Sequence, residues 1–224
     1  ISDRYRVRHF QMSATFCSDI NIYYMVKVSV ITPTVAGREQ FLKRCITQFN
    51  EQDYPNIEQI IIKGDGKIGE KLNYACSVAT GDIILRMDDD DVYALDWISK
   101  SVQFLQDTSM DCVGLSNAYF YDAPRHRILE YKQRPGAQIF ICGATLCFHK
   151  SVWQRNKFRE DIQKGEDAYF VAGCRAYPHD YKQGFLAVIH GGNTSSHQAI
   201  YCKEMQPSNE AHKLISRLDV GIVK

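Results

Sequence analysis

The sequence predicts one α/β domain, built on a mostly parallel, twisted sheet that is flanked by helices and followed by a smaller, mixed second half. In the first half of the chain, short apolar runs typical of buried strands alternate with amphipathic helical segments. Proline and glycine residues separate these segments. A run of aspartates, Asp88–Asp91, directly follows one predicted strand, where open α/β sheets bind ligands.

The elements of the first half are predicted from the period of their apolar residues. They are, in order, a strand over 27–32 ended by Pro33, a helix over 38–52, a strand over 57–62, a helix carrying Leu72, Ala75, Cys76 and Ala79 and stopped by Gly81, a strand over 83–87, and a helix with Trp97, Ile98, Val102 and Leu105 inward. This order is typical of parallel strands joined by crossover helices.

The second half of the chain has shorter and less regular patterns. Its predicted elements are strands at 113–115, 128–132, 139–142, 146–149 and 185–189, and helices at 151–156, 167–175 and from 207 onwards. We find no internal repeat and no clear period in the first 24 residues.

Composition excludes several classes of protein. The chain has 224 residues, of which 45% are hydrophobic and 24% charged, as in ordinary soluble domains. No apolar run approaches the ~20 residues of a membrane span. Lys plus Arg number 27 and Asp plus Glu 26, so no broad basic surface for nucleic acid is expected. The eight cysteines are scattered without CxxC pairs, which favours reduced thiols and a cytoplasmic location.

The aspartate cluster is the strongest chemical signal. Several carboxylates at the end of a buried strand repel one another unless a cation neutralises them. Carboxylate oxygens suit Mg²⁺ or Mn²⁺. The alternative is a solvated acidic turn before the following helix.

A second acidic pair, Glu166-Asp167, opens a predicted helix. Acidic residues at a helix start are favoured by the helix dipole alone, so capping is an adequate explanation for the pair by itself. Together with the aspartate cluster, the pair supplies a carboxylate separate from the metal that can accept a proton.

Five segments in order carry a family resemblance: Val28–Thr34 (VSVITPT), Ile60–Gly66 (IIIKGDG), Gly69–Asn73 (GEKLN), Asp88–Asp90 (DDD) and Glu166-Asp167 (ED). Over roughly residues 26–197 the chain resembles family 2 glycosyltransferases with the GT-A fold. Asp88–Asp90 fits the family's DxD motif and Glu166-Asp167 its acceptor-side ED motif. Gly64 stands where the family often has the first aspartate of Asp-Asp-Gly, and Leu72 where it often has an arginine.

The resemblance implies metal-dependent transfer of a sugar, a hexose or deoxyhexose, from a UDP- or GDP-sugar to a hydroxyl on a glycan or other acceptor, with inversion. Asp90, with Asp88 nearby, would hold Mn²⁺ or Mg²⁺, and Asp167 would be the catalytic base. Some relatives use a histidine near the end of the domain as a further metal ligand, which makes His190 a candidate. On the same basis we assign nucleotide or substrate binding to Thr32, Pro33, Thr34, Arg38, Asp65, Lys71, Asp88, Asp89 and Glu166. Arg38 and Lys71 could equally be solvated helix charges.

The residue patterns and the resemblance together predict a division of the chain. Residues 1–24 form an N-terminal extension, residues 25–200 the GT-A domain, and residues 201–224 a C-terminal helix. Within the domain, residues 25–107 are the nucleotide-binding half and residues 108–200 the acceptor-side half.

Two other functions remain open from the sequence. A nucleotidyltransferase also needs a sheet, a metal and a nucleotide, but the segment after the first strand, residues 34–38, lacks the glycine- and basic-rich loop usual there. A non-catalytic nucleotide- or sugar-binding module could keep the same fold, although the intact carboxylates argue against it.

Overall fold

The computed structural model describes residues 5–11, 26–133, 139–193, 202–206 and 208–218. Its strands are β1 (Arg6–Gln11), β2 (Val28–Thr34), β3 (Ile57–Lys63), β4 (Ile83–Arg86), β5 (Val92–Tyr93), β6 (Cys112–Leu115), β7 (Ala118–Asp122), β8 (Arg127–Tyr131), β9 (Cys147–His149), β10 (Ala176–His179), β11 (Phe185–Ile189) and β12 (Lys203–Met205). Its helices are α1 (Glu39–Asn50), α2 (Ile68–Val78), α3 (Trp97–Thr108), α4 (Lys150–Arg155), α5 (Glu166–Ala172) and α6 (Asn209–Ile215).

The strands form two sheets. The larger has the order β1-β3-β2-β4-β9-β6-β10, and the smaller β12-β8-β7-β11-β5. β3, β2 and β4 are parallel neighbours, as predicted for the first half, whereas β9 is antiparallel to both β4 and β6. The α/β class is therefore confirmed, with a more mixed sheet beyond β4 and a separate second sheet.

Alternate residues of the central strands pack on opposite faces of the larger sheet. Val28 and Val30 join Phe49 of α1 and the inward face of α3, while Ile31 joins residues of α2, α4 and α5 on the other face. Because both faces are covered, β2 is buried along its whole length. None of the helices in the described ranges combines the length and apolar character needed to cross a membrane.

Pro33 does not end the first central strand, so that prediction was wrong. β2 continues to Thr34, and Pro33 lies opposite Ile62 of β3. The carbonyl of Ile31 accepts from Met87 N on the β4 side, so the nitrogen of Pro33, two residues further, faces the same side. β4 has ended there, and the missing N–H costs no ladder hydrogen bond.

Gly81 lies beyond the end of its helix rather than at it. α2 ends at Val78 and Ala79 is already extended. A Cβ at Gly81 would lie 2.6 Å from the carbonyl oxygen of Lys27 and 2.8 Å from Ser29 N. The glycine is therefore required by the close approach of this turn to β2.

Two further expectations differ from the structure. Residues 139–142 do not form a strand, although Ile141 and Cys142 are buried; their apolar pattern reflects burial alone, with Cys142 N donating to Leu115 O. Residues 6–11, where no period was visible, pair antiparallel with β3 as an edge strand. Its sequence, RVRHFQ, carries the charges typical of strands that face solvent at a sheet edge.

The remaining predictions for the second half are confirmed with small shifts in bounds. α6 begins after Ser208, whose Oγ accepts from Ala211 N at 3.2 Å, and buries Ala211 and Leu214 against the second sheet.

Cys45, Cys76, Cys112, Cys142 and Cys147 are buried free thiols. Cys17, Pro207 and His197 lie outside the described residues.

His179 makes the fold sensitive to acid. Burial lowers the pKa of His179 from 6.5 to about 4, and its ring stacks on Phe104 at 4.4 Å. The folded protein keeps this histidine neutral while the unfolded chain binds a proton, so stability is lost as pH falls from about 6.5 to 4. Between neutral pH and pH 4, the native protein should lose on the order of 3 kcal/mol of its free energy of unfolding through this histidine, and His179→Phe should not show that loss. Urea unfolding at both pH values tests this, with exposed His212→Phe as the control; equal acid sensitivity of His179→Phe and the native protein would contradict it.

Candidate functional site

The candidate site lies at the carboxyl ends of the parallel strands β2, β3 and β4. β4 leads directly into Asp88–Asp91, which connect it to β5 in the second sheet. The end of β2 carries Thr34, and the end of β11 leads into His190. The topology thus brings the aspartates, the first helix and the histidine together at one edge, where α/β sheets bind ligands.

Asp89 faces the end of β2 and the start of α1. Thr34 Oγ1 donates to its carboxylate at 2.5 Å, and Arg38 Nη1 donates to it at 2.8 Å. The residue is only 1% exposed. Burial, with the neighbouring charge of Asp90, raises the pKa of Asp89 to about 6 in spite of these contacts.

Asp90 faces the segment after β11. His190 Nε2 lies 3.0 Å from its Oδ2, Arg38 Nη1 is 3.1 Å away, and Asn193 Nδ2 donates to it at 3.2 Å. Burial alone would raise the pKa of Asp90, but the His190 contact and the charge of Arg38 outweigh it and lower the pKa. Asp90 is therefore an ionised carboxylate with an imidazole beside it. Phe41 of α1 stacks on that imidazole at 4.6 Å and holds its plane.

Asp88 is engaged on the opposite side of the loop. Arg86, the last residue of β4, donates from Nε and Nη2 to its two carboxylate oxygens at 2.6 and 2.8 Å. The Asp88 backbone N–H donates to the hydroxyl of Tyr93. The same Arg86 donates from Nη1 to Glu166 Oε1 at 3.2 Å, 80 residues further along the chain, and so joins the two acidic motifs.

Asp91 is hydrogen-bonded to the second sheet and to α1. Its Oδ1 accepts from Val188 N of β11 at 3.0 Å, and its backbone carbonyl accepts from Gln48 of α1. Burial and the charge of Asp90 raise the pKa of Asp91 well above its usual range. This fourth aspartate anchors the loop to the second sheet.

Asp167 stands on the first turn of α5, one residue after Glu166. Its Oδ1 accepts from the N–H of Ala168, and Gly143 lies so close that a Cβ there would be 2.5 Å from Asp167 Oδ2. Glu166 is buried, and burial raises its pKa while Arg86 opposes the shift. The N-cap residue, Gly165, has φ +83° and no side chain, so neither acid serves as the N-cap.

The other residues assigned to nucleotide binding lie at the ends of β2 and β3. Lys71 Nζ donates to the carbonyls of Thr34 and Gly64, at 3.2 Å each, and burial lowers its pKa. Asp65 is exposed in the turn after β3. The Thr32 side chain is buried between β3 and α1: its Oγ1 accepts from Gln59 Nε2 of β3 and lies 3.8 Å from Cys45 Sγ of α1, so only its backbone remains for a ligand.

Two side chains fit a divalent cation. In the described part of the chain, no group of three or more His, Cys, Asp or Glu side chains is arranged around one point. Asp90 and His190 do converge, and both oxygens of Asp88 are engaged by Arg86. Since a cation bound with a nucleotide needs only one or two protein ligands besides phosphate oxygens, the residues fit a cation that a diphosphate helps to hold.

Several site residues were not predicted from the sequence. They are Phe41, Arg44, Gln48, Arg86, Tyr93, Gly143 and Asn193. Arg44 is buried and donates from Nη2 to the backbone carbonyl of Asp90 at 2.6 Å. Arg86 stands two residues before Asp88, and a charged residue inside an otherwise apolar strand was the one available signal.

A family profile decides the classification of the chain. The profile described as glycosyl transferase family 2 matches residues 63–182, more than half of the chain. The chain belongs to this glycosyltransferase family. The match includes the Asp88–Asp91 loop and the Glu166-Asp167 pair.

Solved structures show the same fold as this glycosyltransferase family member. For TarS of S. aureus, residues 1–349 in complex with UDP-GlcNAc, the TM-score is 0.55 at 15% identity, and the alignment covers 84% of this chain and 64% of that 1–349 chain. The mannosyltransferase PcManGT of Pyrobaculum calidifontis, in complex with GDP-Man and Mn²⁺, has a TM-score of 0.52 at 16% identity and covers 78% of this chain and 60% of that one.

The glycosyltransferase chain is shorter than these structures. It spans 37% of a longer TarS structure, at a TM-score of 0.55 and 16% identity. No curated protein is significantly similar to it.

Proposed function

We propose that this glycosyltransferase family member moves a hexose or deoxyhexose from a UDP- or GDP-sugar to an acceptor hydroxyl, with inversion and with help from a divalent cation. The observation that carries the proposal is the meeting of two acidic motifs at one sheet edge, joined by Arg86. Family membership and the nucleotide-sugar complexes of TarS and PcManGT support a nucleotide-sugar donor.

The nucleotide is proposed to lie over the ends of β2 and β3. Lys71 and Arg38 bring positive charge to this edge, and the turn that carries Asp65 follows β3 directly. The Thr32–Thr34 backbone ends here and can approach a base or ribose closely, with Pro33 between them. Asp88 and Asp89 place two further carboxylates at the same ends of the strands, next to Arg86 and Thr34.

Asp90 and His190 are the proposed ligands of Mn²⁺ or Mg²⁺. When bound there, the cation would neutralise the charge that develops on the leaving diphosphate. Arg38 contacts both Asp89 and Asp90, so its guanidinium partly neutralises the negative charge of these carboxylates and would add positive charge beside the metal ion. Asp90 stays ionised beside these groups, as a metal ligand requires.

Asp167 is the proposed base. It would accept the proton of the attacking hydroxyl while the sugar carbon bonds to that oxygen and the bond to the diphosphate oxygen breaks. Glu166 is held by Arg86 and is not free for this proton transfer, which leaves Asp167 as the acid of the pair that faces Gly143.

Two rival functions are weaker. A nucleotidyltransferase has no use for a second carboxylate pair on the acceptor side, whereas the structure brings Glu166 to the aspartate loop. A non-catalytic binding module would bind the nucleotide without turning it over, and release of UDP or GDP from the sugar nucleotide separates it from an enzyme.

Nucleotide binding should depend on a divalent cation. A diphosphate facing Asp88–Asp90 is repelled unless positive charge intervenes. We expect UDP or GDP to bind in calorimetry with Mn²⁺ and to lose on the order of tenfold or more in affinity with EDTA. AMP with Mn²⁺ is the control for nonspecific phosphate binding. Equal affinity with and without the cation would remove the metal from the proposal.

A further inference from the structure

Arg86 is a buried cation shared by two acidic motifs. Its side chain is 9% exposed, and three of its nitrogens donate to carboxylates. Nε and Nη2 hold both oxygens of Asp88, and Nη1 reaches Glu166 at 3.2 Å. Arginine suits this task because its planar group presents several donors in fixed directions, which a lysine ammonium does not.

The contact continues from Arg86 to the proposed base. Glu166 precedes Asp167 on the first turn of α5, and Gly143 is close to both Arg86 and Asp167. A Cβ at Gly143 would lie 3.0 Å from Arg86 Nη1 and 2.5 Å from Asp167 Oδ2. Arg86, Gly143 and Asp167 are therefore in close contact, with room for no larger residue at position 143.

Other contacts already hold the body of α5. Phe170, on its second turn, is fully buried and packs on Phe158 at 4.3 Å and on Phe148 at 4.8 Å. The first turn of α5 follows Gly165, which has a positive φ and no side chain that could cap the helix. Arg86 thus holds the turn that carries the two acids, while the aromatic cluster holds the rest of the helix.

We propose that Arg86 is a positioning residue, which sets the distance between the donor-side Asp88 and the acceptor-side Asp167 by binding Asp88 and Glu166 together. The inference rests on the proposed function. The planar guanidinium of Arg86 holds Asp88 on one side and Glu166 on the other. The distance between the donor site and the base is therefore fixed.

Arg86→Lys tests the proposal through hydrolysis of the donor, which needs no acceptor. In this reaction water gives its proton to Asp167, its oxygen bonds to the sugar carbon, and the nucleoside diphosphate leaves with the electrons of the broken bond. Lysine keeps the charge beside Asp88 but cannot hold both carboxylates in the same geometry. We expect kcat for UDP-GlcNAc or GDP-mannose hydrolysis with Mn²⁺ to fall by ~10²-fold, the scale of a 1 Å misplacement.

The separation of kcat from binding distinguishes positioning from a purely structural role. The KM of the donor and the Kd of UDP or GDP with Mn²⁺ should stay within about threefold of the native values. A buried lysine loses hydrogen bonds that Arg86 makes to the two carboxylates, so a lower melting temperature is expected for either role and does not separate them. If KM and Kd deteriorate together with kcat, Arg86 only supports the fold and the proposal is overturned.

Glu166→Gln gives a second test that leaves Arg86 in place. If the two residues act as one unit, Arg86→Lys/Glu166→Gln should hydrolyse the donor no more slowly than the slower single variant. Multiplied losses in the double variant would show independent roles and contradict the proposal. If Arg86→Lys fails to fold, Glu166→Gln alone still tests the contact, because Arg86 stays in place and a lower kcat at unchanged donor KM is the expected result.

Arg155→Lys is the matched control. Arg155 donates to Asp111, which precedes β6 at the edge of the sheet opposite the aspartate loop. Its replacement should leave kcat unchanged. If the native protein binds neither UDP nor GDP, the proposed function fails; if it binds and hydrolyses a donor but Arg86→Lys does so equally well, only the positioning role fails.

Discussion

Asp167→Asn is expected to lower sugar transfer and donor hydrolysis by ~10² to 10⁴-fold, the usual contribution of general base catalysis. Asparagine keeps the shape of the side chain and can still accept from the Ala168 N–H, so α5 should remain intact. The residue does not contact Asp90 or His190, and UDP or GDP binding with Mn²⁺ should stay near the native affinity. Steady-state hydrolysis of the donor and calorimetry of the diphosphate together measure both effects.

Asp161→Asn is a suitable control for Asp167→Asn. Asp161 is an exposed acid on the segment before α5, paired with Arg159. Its replacement should leave turnover unchanged. Turnover close to native by Asp167→Asn would reject the base and leave Asp167 with a structural role in the first turn of α5, where an asparagine oxygen can also accept from the Ala168 N–H.

Asp90→Asn is expected to weaken metal and nucleotide binding together. The carboxylate is ionised, contacts His190 and Arg38, and is the one acid of the loop that converges with an imidazole. An amide keeps the size of the group but loses the charge that a divalent cation requires. We expect affinity for UDP or GDP with Mn²⁺ to fall on the order of 10- to 100-fold, measured by calorimetry as a function of Mn²⁺ concentration.

Asp91→Asn is the matched control for Asp90→Asn, because the same change is made one residue away. The Asp91 carboxyl is buried with a raised pKa, and an asparagine oxygen can accept from Val188 N in its place. Nucleotide affinity should therefore stay unchanged. If Asp91→Asn weakens binding as much as Asp90→Asn does, the loss comes from disruption of the loop rather than from a ligand to the cation.

Local patterns predicted much of the fold and the location of the site. The first-half helices and strands follow from apolar periodicity, and the aspartates follow β4 as expected. Apolar periodicity did not predict strand β1, and it wrongly predicted a strand at residues 139–142. An edge strand with charged residues has only a weak apolar pattern, and a buried segment that pairs with no strand can have the apolar pattern of one. Whether a segment pairs depends on the strand that lies beside it, and a short segment does not encode its neighbour.

The sequence by itself determined that an α/β sheet ends in a cluster of carboxylates and that a second acidic pair opens a later helix. Only the tertiary structure decided what each acid does. Four adjacent aspartates have the same intrinsic chemistry, yet Asp88 is held by Arg86, Asp89 by Thr34 and Arg38, Asp90 by His190, and Asp91 by Val188. Successive residues of the loop face different elements, and their partners come from distant parts of the chain. Burial and those partners set the charge and direction of each carboxylate, and both exist only after the sheets have packed.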